Sequence, residues 1–146
     1  MAEYAVGVGG EFRTLGAAAL AVKPGDTVRV GPGVYRESLM LSTGSVTWIG
    51  EPGAVIDGGW NGKRLASGWA NVVTFKSPGV VFRGIEVRNC PGRAFAVLAS
   101  DVTLEGCTGD TAYQGAIIVG DSTGEAISDV IIRDNVFRNM LSLIHI

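Results

Sequence analysis

Charged side chains are scarce in this chain, and long apolar runs are absent. Only 18% of the 146 residues are charged and the formal net charge is −2, so the composition gives no general attraction to nucleic acid or to anionic lipid. The longest strictly apolar runs, such as Ala17 to Val22, are far too short to cross a bilayer. We therefore expect neither binding to nucleic acid nor insertion into a membrane.

The chain also has few cysteines, and its start does not show the pattern of a secretory leader. Two cysteines, Cys90 and Cys107, are too few to define a disulfide framework, and we interpret them as buried thiols on neighbouring coils. Met1-Ala2-Glu3 has no basic start, and no apolar stretch of signal-peptide length follows. This leaves open a cytosolic protein or a chain that lacks its own leader.

Glycine, in contrast, is abundant, and one short unit recurs along the chain. The 22 glycines against 5 prolines suit many tight turns between short strands. The unit recurs at steps of 22 and 28 residues, a period typical of stacked coils that bury their faces against each other. Its aligned positions are apolar at Val80, Val102 and Val130, apolar at Phe82, Leu104 and Ile132, and polar at Asn89, Asp110 and Asn139.

One helix is predicted, and it precedes nearly all the strands. Thr14 is a suitable N-cap, and Pro24-Gly25 ends the segment. Leu20 lies off its apolar stripe, which comprises Leu15, Ala18, Ala19 and Val22. Short strands separated by glycine-containing turns also occur in sandwiches and jelly rolls. Self-similar units that follow a single helix in the sequence instead favour a stack of coils with a covered end.

The final six residues break this pattern. Leu141–Ile146 matches the translation of a transposase adapter used in sequencing libraries, and we expect it to be an artefact outside the fold. The alternative is a genuine apolar tail that begins another coil. On the first interpretation, residues 1–140 form a single domain that is truncated at its C-terminus, and His145, the only histidine, cannot be a catalytic base.

The segment from Phe12 to Glu37 carries a family resemblance. Its core, Lys23-Pro24-Gly25-Asp26-Thr27 followed by Gly33-Val34-Tyr35, resembles the opening of right-handed parallel β-helix proteins of the pectate-lyase-like superfamily. The units that begin at Asp101 and Asp129 resemble that superfamily's repeats. The resemblance implies an all-β fold, a right-handed parallel β-helix (a solenoid) with an N-terminal capping α-helix.

The same resemblance implies a function on polysaccharide. It suggests a secreted or cell-surface protein that acts as a lyase, glycoside hydrolase or epimerase, with its catalytic residues beyond this chain; whether it is an enzyme stays open. The alternative is a non-catalytic surface, adhesive or carbohydrate-binding repeat protein. No cofactor is evident, and Ca²⁺ is suggested by resemblance only. Oxygen ligands are available from Asp101, Asp110, Asp121, Asp129 and Asp134, but we interpret most of them as turn residues.

Candidate substrate-binding residues come from the segments between strands. Trp60, Trp69 and Tyr113 could stack on sugar rings, although burial of each under its own loop is the simpler interpretation. Arg93 and Tyr113 occupy equivalent insertions of neighbouring repeats, so we expect them to line the same side of any groove. Separately, the alignment of Arg83 and Arg133 around Glu105 predicts a row of opposite charges across coils.

Overall fold

The computed structural model describes residues 1–63, 70–120 and 126–141. These residues form fifteen short β-strands and one helix. The first elements are β1 (Glu3–Val6), α1 (Leu15–Ala21), β2 (Thr27–Val30), β3 (Gly33–Tyr35), β4 (Leu39–Leu41), β5 (Thr47–Gly50), β6 (Ala54–Asp57) and β7 (Val73–Phe75). The remainder are β8 (Val81–Arg83), β9 (Glu86–Cys90), β10 (Arg93–Val97), β11 (Thr103–Glu105), β12 (Thr108–Ala112), β13 (Gly115–Val119), β14 (Ile131–Arg133) and β15 (Val136–Met140).

The strands form three parallel sheets. Sheet A has the order β1-β2-β5-β8-β11-β14, sheet B the order β15-β12-β9-β6-β3, and sheet C the order β13-β10-β7-β4. From β2 onward the chain passes through sheets A, B and C in turn, and each strand pairs with the strand three positions further along. This all-β, all-parallel arrangement is consistent with a parallel β-helix-like fold, and it does not fit the antiparallel sandwich.

The connections between sheets differ in length. From sheet A to sheet B they are short in every pass: residues 31–32, 51–53, 84–85, 106–107 and 134–135. The long connections leave sheet B at residues 58–72 and sheet C at residues 120–130. The second of these accounts for the longer repeat step of 28 residues.

Aligned apolar positions of the repeat lie in register on adjacent strands of sheet A. Leu104 pairs in register with Phe82 on one side and Ile132 on the other, and the side chains of Phe82 and Leu104 are fully buried. Ile132 is 40% exposed, because no further strand of sheet A covers β14 in the described part of the chain. Around these stacks lies a cluster of edge-on and stacked rings, formed by Phe75, Phe82, Phe95 and Phe137.

The predicted alignment of the polar closing positions is wrong in its middle member. Asn89 and Asn139 share their structural position with Thr111, not with Asp110, because Asp110 pairs in register with Arg88 and Arg138. All three residues at this position have left-handed backbones, with φ of 53° at Asn89, 65° at Thr111 and 58° at Asn139. Asparagine tolerates this conformation well and threonine poorly, which is why the sequence pattern pointed to the neighbouring Asp110.

The helix begins where the sequence predicts. The Thr14 hydroxyl accepts the Ala17 N–H at 3.1 Å, Leu15 and Ala18 are buried, and Leu20 is 92% exposed. A second cap comes from outside the helix: the Glu37 carboxylate accepts the Leu15 and Gly16 N–H groups at 3.0 and 2.7 Å. The sequence pattern did not reveal this long-range cap. No helix in the described ranges is long and apolar enough to span a membrane.

Candidate functional site

A row of alternating charges runs across the strands of sheet B. Asp57 of β6, Arg88 of β9, Asp110 of β12 and Arg138 of β15 share one register position. Arg138 Nε lies 3.0 Å from Asp110 Oδ2, and Arg88 Nε lies 3.6 Å from Asp57 Oδ2. Opposite charges on adjacent strands stabilise each other, so this row is a neutral strip on the outside of the sheet.

The two carboxylates of this row are well supplied with donors. Asp110 accepts from the Asn139 amide at 2.9 Å, from Arg138 and from the Thr111 hydroxyl at 3.1 Å. The Asn139 amide and the Arg138 guanidinium lower the pKa of Asp110, since hydrogen bonds to the charged form favour it. Asp110 is therefore held ionised.

Asp57 is ionised for a similar reason, although it is buried. Burial by itself raises the pKa of this carboxyl group, but hydrogen bonds from the Gly59 N–H and the Asn89 amide, helped by the charges of Arg88 and Arg36, outweigh it and the pKa is lowered. Neither carboxyl group of the row is thus protonated near neutral pH.

A groove of about 330 Å³ lies beside this row, at the bend that follows sheet B. We call it the B–C groove. The left-handed turns at Thr111 and Asn139 bring both side chains to its wall, and the ends of β15 and of the 58–72 connection complete it. Its lining residues are Trp60, Gly62, Thr111, Asn139, Met140 and Leu141.

One ring of an aromatic pair lines the B–C groove: Trp60 does, and Tyr113, which contacts Trp60, is not among the lining residues. The rings of Trp60 and Tyr113 meet edge to face, with centroids 5.4 Å apart and planes at 65°. Trp60 is only 9% exposed, and its indole N–H donates to the Lys63 carbonyl oxygen at 2.8 Å, within its own loop. Most of the Trp60 side chain is therefore buried under its own loop, and only a small part of it faces the groove.

The structure brings together two of the four predicted binding residues. Trp60 and Tyr113 are in contact. Arg93 lies on β10, half-buried and in register with Gly115, and it is not among the residues that line the groove. Trp69 lies outside the described residues, as do Asp121 and residues 142–146 with His145.

The sequence pattern missed the two polar residues of the groove wall. Asn139 was interpreted only as a polar repeat position, and Thr111 was not singled out. The signal that could have found them is the repeat spacing itself: counting 22 residues from Asn89 reaches Thr111, and 28 more reaches Asn139. The shift of one residue to Asp110 concealed it.

The predicted charge row on sheet A is confirmed. Glu105 forms ion pairs with Arg83 and, at 2.6 Å, with Arg133. Hydrogen bonds from Arg133 and Arg83 lower the pKa of Glu105. This row lies on an open sheet face without a groove, and we assign it a structural role.

The remaining aspartates behave as turn residues where the structure describes them. Asp101, Asp129 and Asp134 have φ of 55°, 58° and 56°, a left-handed conformation that Asp and Asn adopt more readily than most residues. Within the described ranges, no three His, Cys, Asp or Glu side chains lie close enough together to hold a metal ion.

A second, larger groove of about 410 Å³ lies near the N-terminus, between residues 5–10 and 29–32 and beside Glu51. It has no aromatic side chain, and its arginine, Arg29, is ion-paired with Glu3. Because sugar recognition uses aromatic faces together with polar side chains, the B–C groove is the better candidate. No protein-family model matches this chain, and no curated protein matches it significantly.

Proposed function

We propose that the chain is a right-handed parallel β-helix of the pectate-lyase-like type, with α1 as its N-terminal cap. Two observations support this: each strand pairs in parallel with the third strand after it, and the segment from Phe12 to Glu37 carries the resemblance described above. The cap assignment is supported by the contacts of α1 with β1 and β4, the first strands of sheets A and C along the chain.

We propose further that the protein binds polysaccharide in the B–C groove, outside the cell or at its surface. The single observation that carries this is the composition of the groove. Trp60, the Thr111 hydroxyl group and the Asn139 amide line one open bend, and Tyr113 packs against Trp60. Aromatic side chains supply apolar area for sugar rings, and the amide and hydroxyl groups can bond sugar hydroxyls.

Catalysis as a lyase, hydrolase or epimerase is the second candidate, and the resemblance supports it. Glycoside hydrolysis needs a carboxylic acid whose pKa is raised so that it can donate a proton. Asp57 and Asp110, the carboxyl groups of the charged row beside the groove, have lowered pKa values instead. The carboxyl groups of this row therefore lack the raised pKa that an acid catalyst needs, which favours binding as the first candidate.

A polysaccharide panel tests both candidates. Affinity electrophoresis against immobilised plant, algal and bacterial polysaccharides measures binding. Assays of reducing ends and of the absorbance of unsaturated uronates, on the same samples, measure turnover. Retention without product supports the binding function, and product formation supports the catalytic one. Absence of retention and of product on every polysaccharide would overturn both.

A further inference from the structure

The charges around the B–C groove cancel each other. The residues that line it carry no charged side chain. Both arginines of the adjacent row lie near carboxylates: Arg138 Nε is 3.0 Å from Asp110, and Arg88 lies 3.6 and 3.8 Å from Asp57 and Glu86, although Arg88 Nε has no hydrogen-bond partner. A ligand carboxylate would need an available cation to replace its hydration, and the described wall of the groove offers none.

Hydrogen bonds within the protein determine which polar atoms of the Thr111 and Asn139 side chains are left for a ligand. Thr111 donates its hydroxyl proton to Asp110, and Asn139 donates an N–H to the same Asp110 oxygen. These donations leave the Thr111 oxygen, the Asn139 carbonyl oxygen and the second N–H of the Asn139 amide for a ligand at the groove. Asp110 thus orients both side chains so that oxygens remain for hydrogen-bond donors on a ligand.

We infer that the ligand of the B–C groove is an uncharged, hydroxyl-rich glycan segment, a neutral polysaccharide and not a uronate polymer. This inference rests on the proposed polysaccharide binding and narrows its substrate class. Sugar hydroxyls donate to the two wall oxygens, and the apolar faces of the sugar contact Met140, Leu141 and the exposed part of Trp60. Asp110 is a positioning residue, since it acts through Thr111 and Asn139.

The test compares the full chain on matched neutral and acidic polymers by isothermal titration calorimetry. The probes are a neutral galactan and a neutral glucan on one side, and polygalacturonate and alginate on the other. We expect binding to a neutral polymer, with a dissociation constant that changes less than about twofold as NaCl rises from about 50 to about 500 mM, because no ion pair is formed. We expect no binding to the uronate polymers.

Two pairs of variants locate the site. Thr111→Val removes the wall oxygen and is matched by Thr103→Val, whose register partners are already Val81 and Ile131. Met140→Ala removes apolar surface from the groove and is matched by Met40→Ala, an exposed methionine of β4. Both groove variants should weaken neutral binding about three- to tenfold, the range expected for one hydrogen bond or a few buried methylenes. The two matched variants should bind as the parent does.

The outcomes separate this inference from the proposed function. Binding to uronate polymers in place of neutral ones overturns the inference and leaves polysaccharide binding intact. Neutral binding that is unaffected by both Thr111→Val and Met140→Ala, each verified as folded by circular dichroism, overturns the location. Failure to bind any polysaccharide overturns the proposed function together with the inference.

Discussion

The carboxylate of Glu37 accepts the backbone N–H of Gly16 at 2.7 Å across 21 residues of sequence. The other oxygen of the same carboxylate accepts the Leu15 N–H, so one side chain satisfies two of the donors that a helix leaves unpaired at its start. α1 has only seven residues, too few to be stable alone. Its stability therefore depends on side chains such as Glu37 and on the core beneath it.

Removing the Glu37 cap should destabilise the fold. We expect Glu37→Ala to lower the free energy of unfolding by about 2 kcal/mol, because two charge-assisted hydrogen bonds at a helix start are lost. Urea unfolding followed by circular dichroism measures it. Glu51→Ala, at an exposed turn, is the matched control and should stay within about 0.5 kcal/mol of the parent. Equal losses in both variants would contradict the capping role.

Ionisation of Asp26 should make the free energy of unfolding depend on pH. Its carboxylate accepts the Ala2 and Lys23 N–H groups, both at 2.8 Å, and these two hydrogen bonds lower its pKa in the folded state. A carboxyl group with a lowered folded pKa stabilises the fold above its unfolded pKa of about 3.9, and this stabilisation is lost as pH falls through the folded pKa.

The measurement compares Asp26→Asn with the parent. Unfolding free energies from urea titrations should differ most at about pH 6 and converge as pH falls toward about 3. A difference that stays constant over this range would show that the Asp26 charge does not contribute.

Thr111 is strained, and its replacement by asparagine should relieve the strain. A β-branched residue at φ 65° is disfavoured by about 1–2 kcal/mol, whereas asparagine tolerates this conformation. We expect Thr111→Asn to raise the free energy of unfolding by about 1 kcal/mol. Thr103→Asn, in the extended strand β11, should lower it instead. A loss of stability at position 111 would show that the Thr111 hydroxyl matters more than its backbone.

Leu104 and Ile132 occupy the same repeat position in two environments. Leu104 is fully buried, and Ile132 is 40% exposed. We expect Leu104→Ala to cost about 2–5 kcal/mol, as for other buried leucines, and Ile132→Ala to cost about 1 kcal/mol or less. Thermal or urea unfolding measures both. Equal costs would indicate that Ile132 is covered in solution.

Both thiols should be unreactive in the folded protein. Burial raises the pKa of Cys90 to about 12 and that of Cys107 to about 11, and the thiolate is the reactive form. Iodoacetamide at about pH 8 should modify neither cysteine until guanidinium unfolds the chain, as followed by mass spectrometry. Rapid labelling of the native protein would show that this part of the core opens.

The sequence predicted the repeating parts of the structure better than the contacts between distant segments. Inward positions such as Phe82 and Leu104 recur at a fixed spacing, so a single pattern finds them all. The Thr14 cap is local and was also predicted. Glu37 and Asp110 act on residues far along the chain, and their roles become visible only once the strand register is known. The register also moves Thr111 into the position that the pattern gave to Asp110.

The groove was predicted only in outline. The sequence named Trp60 and Tyr113 as loop aromatics, and the structure places Trp60 in the lining of the groove with Tyr113 in contact with it. The sequence could not show that the two rings touch, because the connection from 58 to 72 has no repeat counterpart of similar length. Arg93 lies on β10 and is not among the residues that line the groove, and its role in ligand binding stays a prediction.

The unequal connections between the sheets have an evolutionary consequence. The turns from sheet A to sheet B stay at two or three residues in every pass, so a change of length there would displace two strands from their partners. The corners after sheets B and C already accept segments as long as 58–72 and 120–130 without loss of register. New specificity can therefore be acquired by lengthening these two corners alone, and the same corners are the natural places to graft foreign loops.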